Sequence, residues 1–216
     1  MYNLLTRYFA GVTRTRFEQD LAEKDWVILL EAGSEIVGFS TLKFTRTTID
    51  GQPVIAVFSG DTIVARESWG ESELPRLWIR HVLSVTAGEQ ARVFWFLISS
   101  GYKTYRFLPV FFREFYPVFD RETPAWVKRL TDQLAADKFG DQYDAAAGVV
   151  RFREATPLQE GVAEVTERRL KDPHVAFFVR ANPGHAVGDE LVCLCELTPA
   201  NLTAAGRRML GLPSCG

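Results

Sequence analysis

Phe58-Ser-Gly-Asp-Thr-Ile-Val-Ala-Arg-Glu-Ser-Trp-Gly-Glu-Ser-Glu-Leu74 reads as the end of an apolar strand, a short polar loop and the start of a helix. A strand that runs into a helix start presents free backbone N–H groups, which suit a phosphate or a developing oxyanion. Working outward from this junction gives the fold. Upstream, Trp26–Glu31 and Ile36–Arg46 are strands joined by a turn at 32–35. Asp50-Gly51 is a strong hairpin signal, because both residues tolerate the positive φ of a type I′ turn. With the strand Val54–Ala65 these make an antiparallel meander.

Downstream, Leu74, Leu77, Trp78, Val82 and Val85 recur at helical spacing in Glu71–Thr86, and Gly88 stops that helix. Arg92–Ser99 is a continuous apolar run, the mark of a central strand covered on both faces. Strand, helix and strand then form a crossover, so the strands ending at Ala65 and Ser99 should run parallel. Further out, Tyr2–Lys24 reads as two short helices broken near Gly11. Leu108, Phe111, Phe112 and Phe115 mark an aromatic helix, and Thr123–Lys138 marks another. A loop is expected over 141–148, a short strand over 148–152, and a charged helix over Pro157–Leu170. His174–Arg180 and Glu190–Leu197 are expected to pair as strands, with a last helix from Pro199 to Leu210. The expected class is α/β: a mixed sheet with helices on both faces, in one domain over 1–216 with a helical insertion near 118–170.

The totals exclude some functions. At 216 residues and 47% hydrophobic the chain buries an ordinary core. A net charge of −2 and no dense basic run argue against a nucleic-acid partner. No apolar run reaches the roughly 20 residues of a membrane span. Cys193, Cys195 and Cys215 form neither a disulfide framework nor a zinc spacing, and with no signal-peptide pattern the expected compartment is the cytoplasm.

This order of elements resembles the GNAT superfamily of acyltransferases, over roughly Phe17–Pro117. In that family the strand before the crossover helix carries a bulge and splays from the next strand. The pantetheine arm of coenzyme A lies in the gap, and the pyrophosphate sits on a loop of pattern Gln/Arg-x-x-Gly-x-Gly/Ala. The corresponding loop here is Arg66-Glu-Ser-Trp-Gly-Glu-Ser72, with the Gly displaced by one, Ser72 at the second small position, and Trp69 and two glutamates making it bulky and acidic. The resemblance implies an acyl-CoA or acyl-pantetheine thioester as co-substrate, an amine acceptor and no metal. Arg66, Ser68 and Gly70 in the loop, and Ser99 on the facing strand, are then the donor-binding candidates. The backbone N–H groups of Val64 and Arg66 are candidates to hold the thioester oxyanion.

Acyl transfer to an amine needs a base and an acid. Asp61 is the candidate base. On strand alternation it shares a face with Val57 and Ile63, where burial would raise its pKa; the alternative is a structural Asp at a bulge beside Gly60. Tyr105, and after it Tyr102, stand nearest to the family's acid, and each is equally a core tyrosine. His174 and His185 are candidates for acceptor contacts. Three functions stay open: an acyl-CoA-dependent N-acyltransferase; an acyl-carrier-protein-dependent synthase of the same fold, such as an acyl-homoserine-lactone synthase; and a non-catalytic binding or assembly protein. An acyl carrier protein and a second copy of the chain are the candidate protein partners.

Overall fold

The computed structural model describes residues 1–69 and 73–213. The meander forms where the hairpin signal puts it. β1 (Trp26–Ala32), β2 (Glu35–Ile49) and β3 (Gln52–Val64) pair antiparallel in sequence order. Asp50 and Gly51 take φ of 49° and 76° at the β2–β3 turn. The crossover helix α3 (Glu73–Val85) leads to β4 (Arg92–Ser99), which lies parallel to β3. Three further strands, β5 (Tyr143–Asp144), β6 (Val149–Val150) and β7 (Glu190–Glu196), complete a sheet of order β1-β2-β3-β4-β7-β6-β5. This is the α/β arrangement expected from the sequence, a meander followed by a β-α-β crossover.

Helices cover both faces, and the strand pattern dictates which residues each face receives. One face presents Leu42, Ile55, Val57, Leu97 and Cys193 to Trp78 and Val82 of α3, and to Tyr105, Leu108 and Phe178. The other presents Val54, Ala56, Phe58, Phe94 and Phe96 to Val127, Leu130 and Leu134 of a long helix, Ala125–Phe139. Beyond it on that face, Phe39 and Ile63 pack against Leu5 of α1 (Tyr2–Leu5) and Phe17 of α2 (Arg14–Ala22). Thr13 caps α2 through its side chain, which accepts from the Arg16 N–H.

Four expectations are corrected. His174–Arg180 lies in a helix, Pro173–Ala181, because Asp172 caps it and Pro173 fixes its first turn; Val175 and Phe178 are buried three residues apart. The expected terminal hairpin therefore does not exist, and β7 pairs with β4 and β6. Pro157–Leu170 is helical only over Glu167–Leu170, since Gly161 takes φ of 75°. The aromatic helix is two short pieces, α4 (Tyr102–Tyr105) and α5 (Phe107–Phe111); Phe112 is extended and bridges to Leu202. The loop expected over 141–148 contains the turn of the β5–β6 hairpin.

Candidate active site

β3 and β4 pair only from Val54–Arg92 to Ser59–Leu97. Past Ser59, β3 keeps its pairing with β2, while β4 keeps its pairing with β7 as far as Ser99–Leu191. The two strands part at a bulge: Ser40 pairs with Thr62 and Leu42 with Ser59, so Gly60 and Asp61 together oppose Thr41. An extra residue in one strand turns the residues beyond it by one position. This corrects the face expected for Asp61. It keeps company with Ile63 but leaves the face of Val57 for that of Phe58, where Lys24 and Arg16 are its cationic neighbours.

Gly60 has a packing reason. A Cβ there would stand 2.5 Å from Thr41 Oγ1 and 2.7 Å from Lys24 Cε. Its absence lets the Lys24 stem lie across the bulge, with the ammonium paired to Asp20 and 1% of the side chain exposed. Asp61 is half-buried, and its carboxyl is pushed up to about 6. Burial is the first cause and Asp20 the second, with Lys24 and Arg16 opposing.

The structure adds a residue that the sequence did not single out. Glu190 opens β7 on the same face as Val192, hence on the face of Asp61, one strand beyond β4. Two strand spacings, about 10 Å, separate β3 from β7. Glu190 is half-buried and its carboxyl is pushed up to about 8, first by burial and then by the negative charge of Asp61. The order follows from coupling: Asp61 loses its proton first, and its charge then keeps Glu190 protonated.

The end of the gap is filled by the chain itself. Trp69 donates its indole N–H to the Val64 carbonyl at 2.8 Å. Lys103 Nζ, from α4, stands 4.0 Å from the centre of the same ring, and the Arg66 guanidinium 5.2 Å from it. Trp69 thus bridges the end of β3 to the helix after β4. Tyr8 reaches in from α1's side and accepts the Arg66 N–H at 2.6 Å. The Arg66 guanidinium meets the Gly161 carbonyl at 3.5 Å, and Lys103 donates to the Val162 carbonyl. Leu158 and Ala163 lie against Gly101, where a Cβ would come within 2.8 Å and 3.4 Å of them. Outside this seal, Arg7, Tyr8, Arg66, Glu67, Gln159 and Val162 line an open cleft of about 240 Å³.

The donor-binding candidates divide accordingly. Ala65 N–H donates to Val37 of β2, so by strand alternation the Val64 N–H points off the opposite edge of β3, into the gap. The Arg66 N–H is already engaged by Tyr8. Ser68 sits half-buried in a single 3₁₀ turn, Arg66–Ser68, and Gly70 falls outside the described residues. Ser99 is buried and donates to the Gly101 carbonyl at 2.7 Å. Tyr105 is fully buried, donates its hydroxyl to the Pro117 carbonyl at 2.9 Å, and is pushed far up by burial. That environment gives it no route to a leaving group. Tyr102 is buried in the same core at the start of α4. His174 is packed among Tyr105, Phe115 and Phe119, and His185 against Phe178, on the face opposite Asp61. No cluster of three or more potential metal ligands occurs among the described residues. No described helix is long and apolar enough to cross a membrane.

No protein-family model matches the chain, and no curated protein sequence does. Among solved structures, a probable N-acyltransferase of Enterococcus faecalis is similar at a TM-score of 0.43 and 11% identity, covering 92% of this chain and 62% of that one. A Mycobacterium tuberculosis protein solved in complex with coenzyme A is similar at 0.40 and 11%, over 91% of both chains. An aminoglycoside acetyltransferase from an uncultured soil sample is similar at 0.37 and 17%, over 57% of this chain and 88% of that one. With TM-scores below 0.5, none of these likenesses bears on what this chain does.

Proposed function

We propose that this chain transfers an acyl group from a pantetheine thioester, carried by coenzyme A or by a carrier protein, to an amine. The observation that carries the reading is the bulge at Gly60–Asp61. It parts β3 from β4, turns a desolvated carboxyl to the edge of the opening, and leaves the Val64 N–H aimed into it. In the reaction the amine nitrogen attacks the thioester carbonyl and its surplus proton passes to Asp61. The carbonyl oxygen gains charge opposite the Val64 N–H. The C–S bond then breaks, the amide remains, and the thiolate takes a proton from solvent. A carboxyl held near 6 is a better base at neutral pH than an ordinary aspartate. The thioester arm enters where Trp69 now lies, so the indole has to swing off the Val64 carbonyl.

The loop after β3 suits nucleotide phosphates poorly, since Glu67 is acidic and Tyr8 holds the Arg66 N–H. This favours the thioester end of the donor over its nucleotide. It also gives weight to a second reading, a non-catalytic binding protein whose donor gap is closed by Trp69, Tyr8 and Val162. Thermal shift with coenzyme A, acetyl-CoA and a pantetheinylated carrier protein separates the two. A rise in Tm with at least one of them is expected, and Asp61→Asn should then lower turnover about 10²–10⁴-fold with the fold intact. No shift with any donor, in the native chain or in Trp69→Ala, would sink the transferase reading.

A further inference from the structure

We infer that two copies of this chain pair through the outer edges of their β1 strands, antiparallel and about a two-fold axis at Ile28, so that the sheet continues from one copy into the other. The inference stands apart from the transferase reading. The contrast between the two edges of the sheet is the first support. β5 closes one side with only two residues, and there Arg151 binds Asp144. Short, charged edges resist further pairing. β1 closes the other side with seven residues, Trp26-Val-Ile-Leu-Leu-Glu-Ala32, which include no proline, glycine, lysine or arginine. Among the described residues, β1 makes backbone hydrogen bonds to β2 alone, so its outer row of N–H and C=O groups is open. A long, apolar, unblunted edge is a template for another strand.

The side chains are the second support. Ten large hydrophobic residues are exposed among the described residues, and three of them, Trp26, Val27 and Leu29, stand on this one strand. They lie on both faces. Trp26 packs edge-on against His81 of α3, with Ile28 and Leu30 following it on that face, while Val27 and Leu29 share the face of Phe39. An antiparallel neighbour would complete the hydrogen bonds of the edge and cover both apolar rims. What selects a second copy is the match of β1 to itself. A two-fold at Ile28 sets Trp26 opposite the partner's Leu30, Val27 opposite the partner's Leu29, and Ile28 opposite its own counterpart. Each apolar residue then meets an apolar one on the same face. The same register brings the partner's Glu31 opposite Asp25. That aspartate is already held by the Lys43 ammonium at 3.0 Å and by the Phe44 N–H at 2.7 Å. Glu31 is exposed and has no ion pair among the described residues. Lys43 would then stand beside one carboxylate from each copy, and the contact occurs twice, as a closed two-fold requires. Because β1 runs parallel to β3, the pairing points the two β3–β4 gaps to opposite ends of the joined sheet.

Sedimentation equilibrium of the whole chain in reducing buffer, from about 1 μM to 1 mM, covers the affinities of a small interface. A monomer–dimer equilibrium is expected. Val27→Lys and Leu29→Lys, each at an exposed position, should weaken the dimer about tenfold or more by setting an ammonium in the new ladder. Near-UV circular dichroism checks that both variants are folded. Ile28→Cys should give a disulfide-linked dimer on mild oxidation, with the native chain as the control for its own cysteines. A native chain that is monomeric throughout overturns the inference, as does a dimer of unchanged affinity in both folded lysine variants. A mass that climbs past the dimer, or a dimer whose Ile28→Cys variant does not cross-link, overturns it as well.

Discussion

β3 is one strand with two contrasting halves. From Val54 to Ser59 it is hydrogen-bonded on both edges, and Val54, Ile55, Ala56, Val57 and Phe58 are all buried. From Gly60 to Val64 it is paired on one edge only and carries Gly60, Asp61 and Thr62. The first half has apolar residues on both faces because helices cover both. The second half carries polar residues where one edge is open. A chain that zipped β3 along its whole length would gain ladder hydrogen bonds and lose the open edge from Gly60 to Val64. The difference separates what holds the fold from what is available for chemistry, within a single strand.

The contrast breaks first if the zipped half is less rigid than it looks. Phe96, on β4 beside Phe58, should cost about 3–5 kcal/mol when changed to alanine, read from urea unfolding. A loss under about 1 kcal/mol would mean that the core is placed wrongly. The open half is probed by pH. Glu190 has a folded pKa of about 8 against an ordinary 4.5, so between these values the native state holds more protons than the unfolded chain. Stability therefore falls as pH rises through this range. Below about 6.5 the histidines, all lowered by burial, act in the opposite sense. The clean window is pH 6.5 to 8, where Tm should drop by at least about 2–4 °C, the shift that 1 kcal/mol gives in a chain of this size. Glu190→Gln should flatten that drop; a native chain that gains stability across the window contradicts the buried carboxyl.

Smaller effects sharpen the picture. Trp69→Ala removes one hydrogen bond and two cation–π contacts at a half-exposed site, about 1–2 kcal/mol together. It should at the same time tighten binding of a pantetheine thioester, measured by calorimetry. Unchanged affinity would show that the indole does not guard the gap. Least of all, Arg92→Met at the zipped end breaks a two-pronged pair with Glu196 that is largely solvated, worth about 0.2–1 kcal/mol.

The zipped half was legible in the sequence. Asp50-Gly51 set the hairpin, and the unbroken run Val93–Ile98 announced a strand covered on both sides. Asp61 was found as the acid of β3, but its face was misjudged, since period-2 counting carries no sign of a bulge. Glu190 left no signal: a glutamate opening an apolar run is ordinary, and only the pairing of β7 with β4 brings it beside Asp61. That pairing was hidden behind the helix at Pro173–Ala181, whose valines and phenylalanines suit a strand equally well until Asp172-Pro173 is read as a cap. The contents of the gap were unreadable for a similar reason. Gly161 breaks the helix expected over Pro157–Leu170, and the freed backbone lies against Tyr8, Gly101 and Lys103.

The bulge at Gly60–Asp61 makes the site a matter of chain length rather than of side-chain identity. Removing one residue there leaves every core side chain of the sheet unchanged. Yet it restores strict alternation along β3 and lets the strand close on its neighbour, while the carboxylate keeps the face it shares with Phe58. A lineage of this fold would then gain or shed the site in a single deletion step, faster than by any series of substitutions. Length variation within β3, more than replacement of Asp61, is where related chains with and without the site would differ.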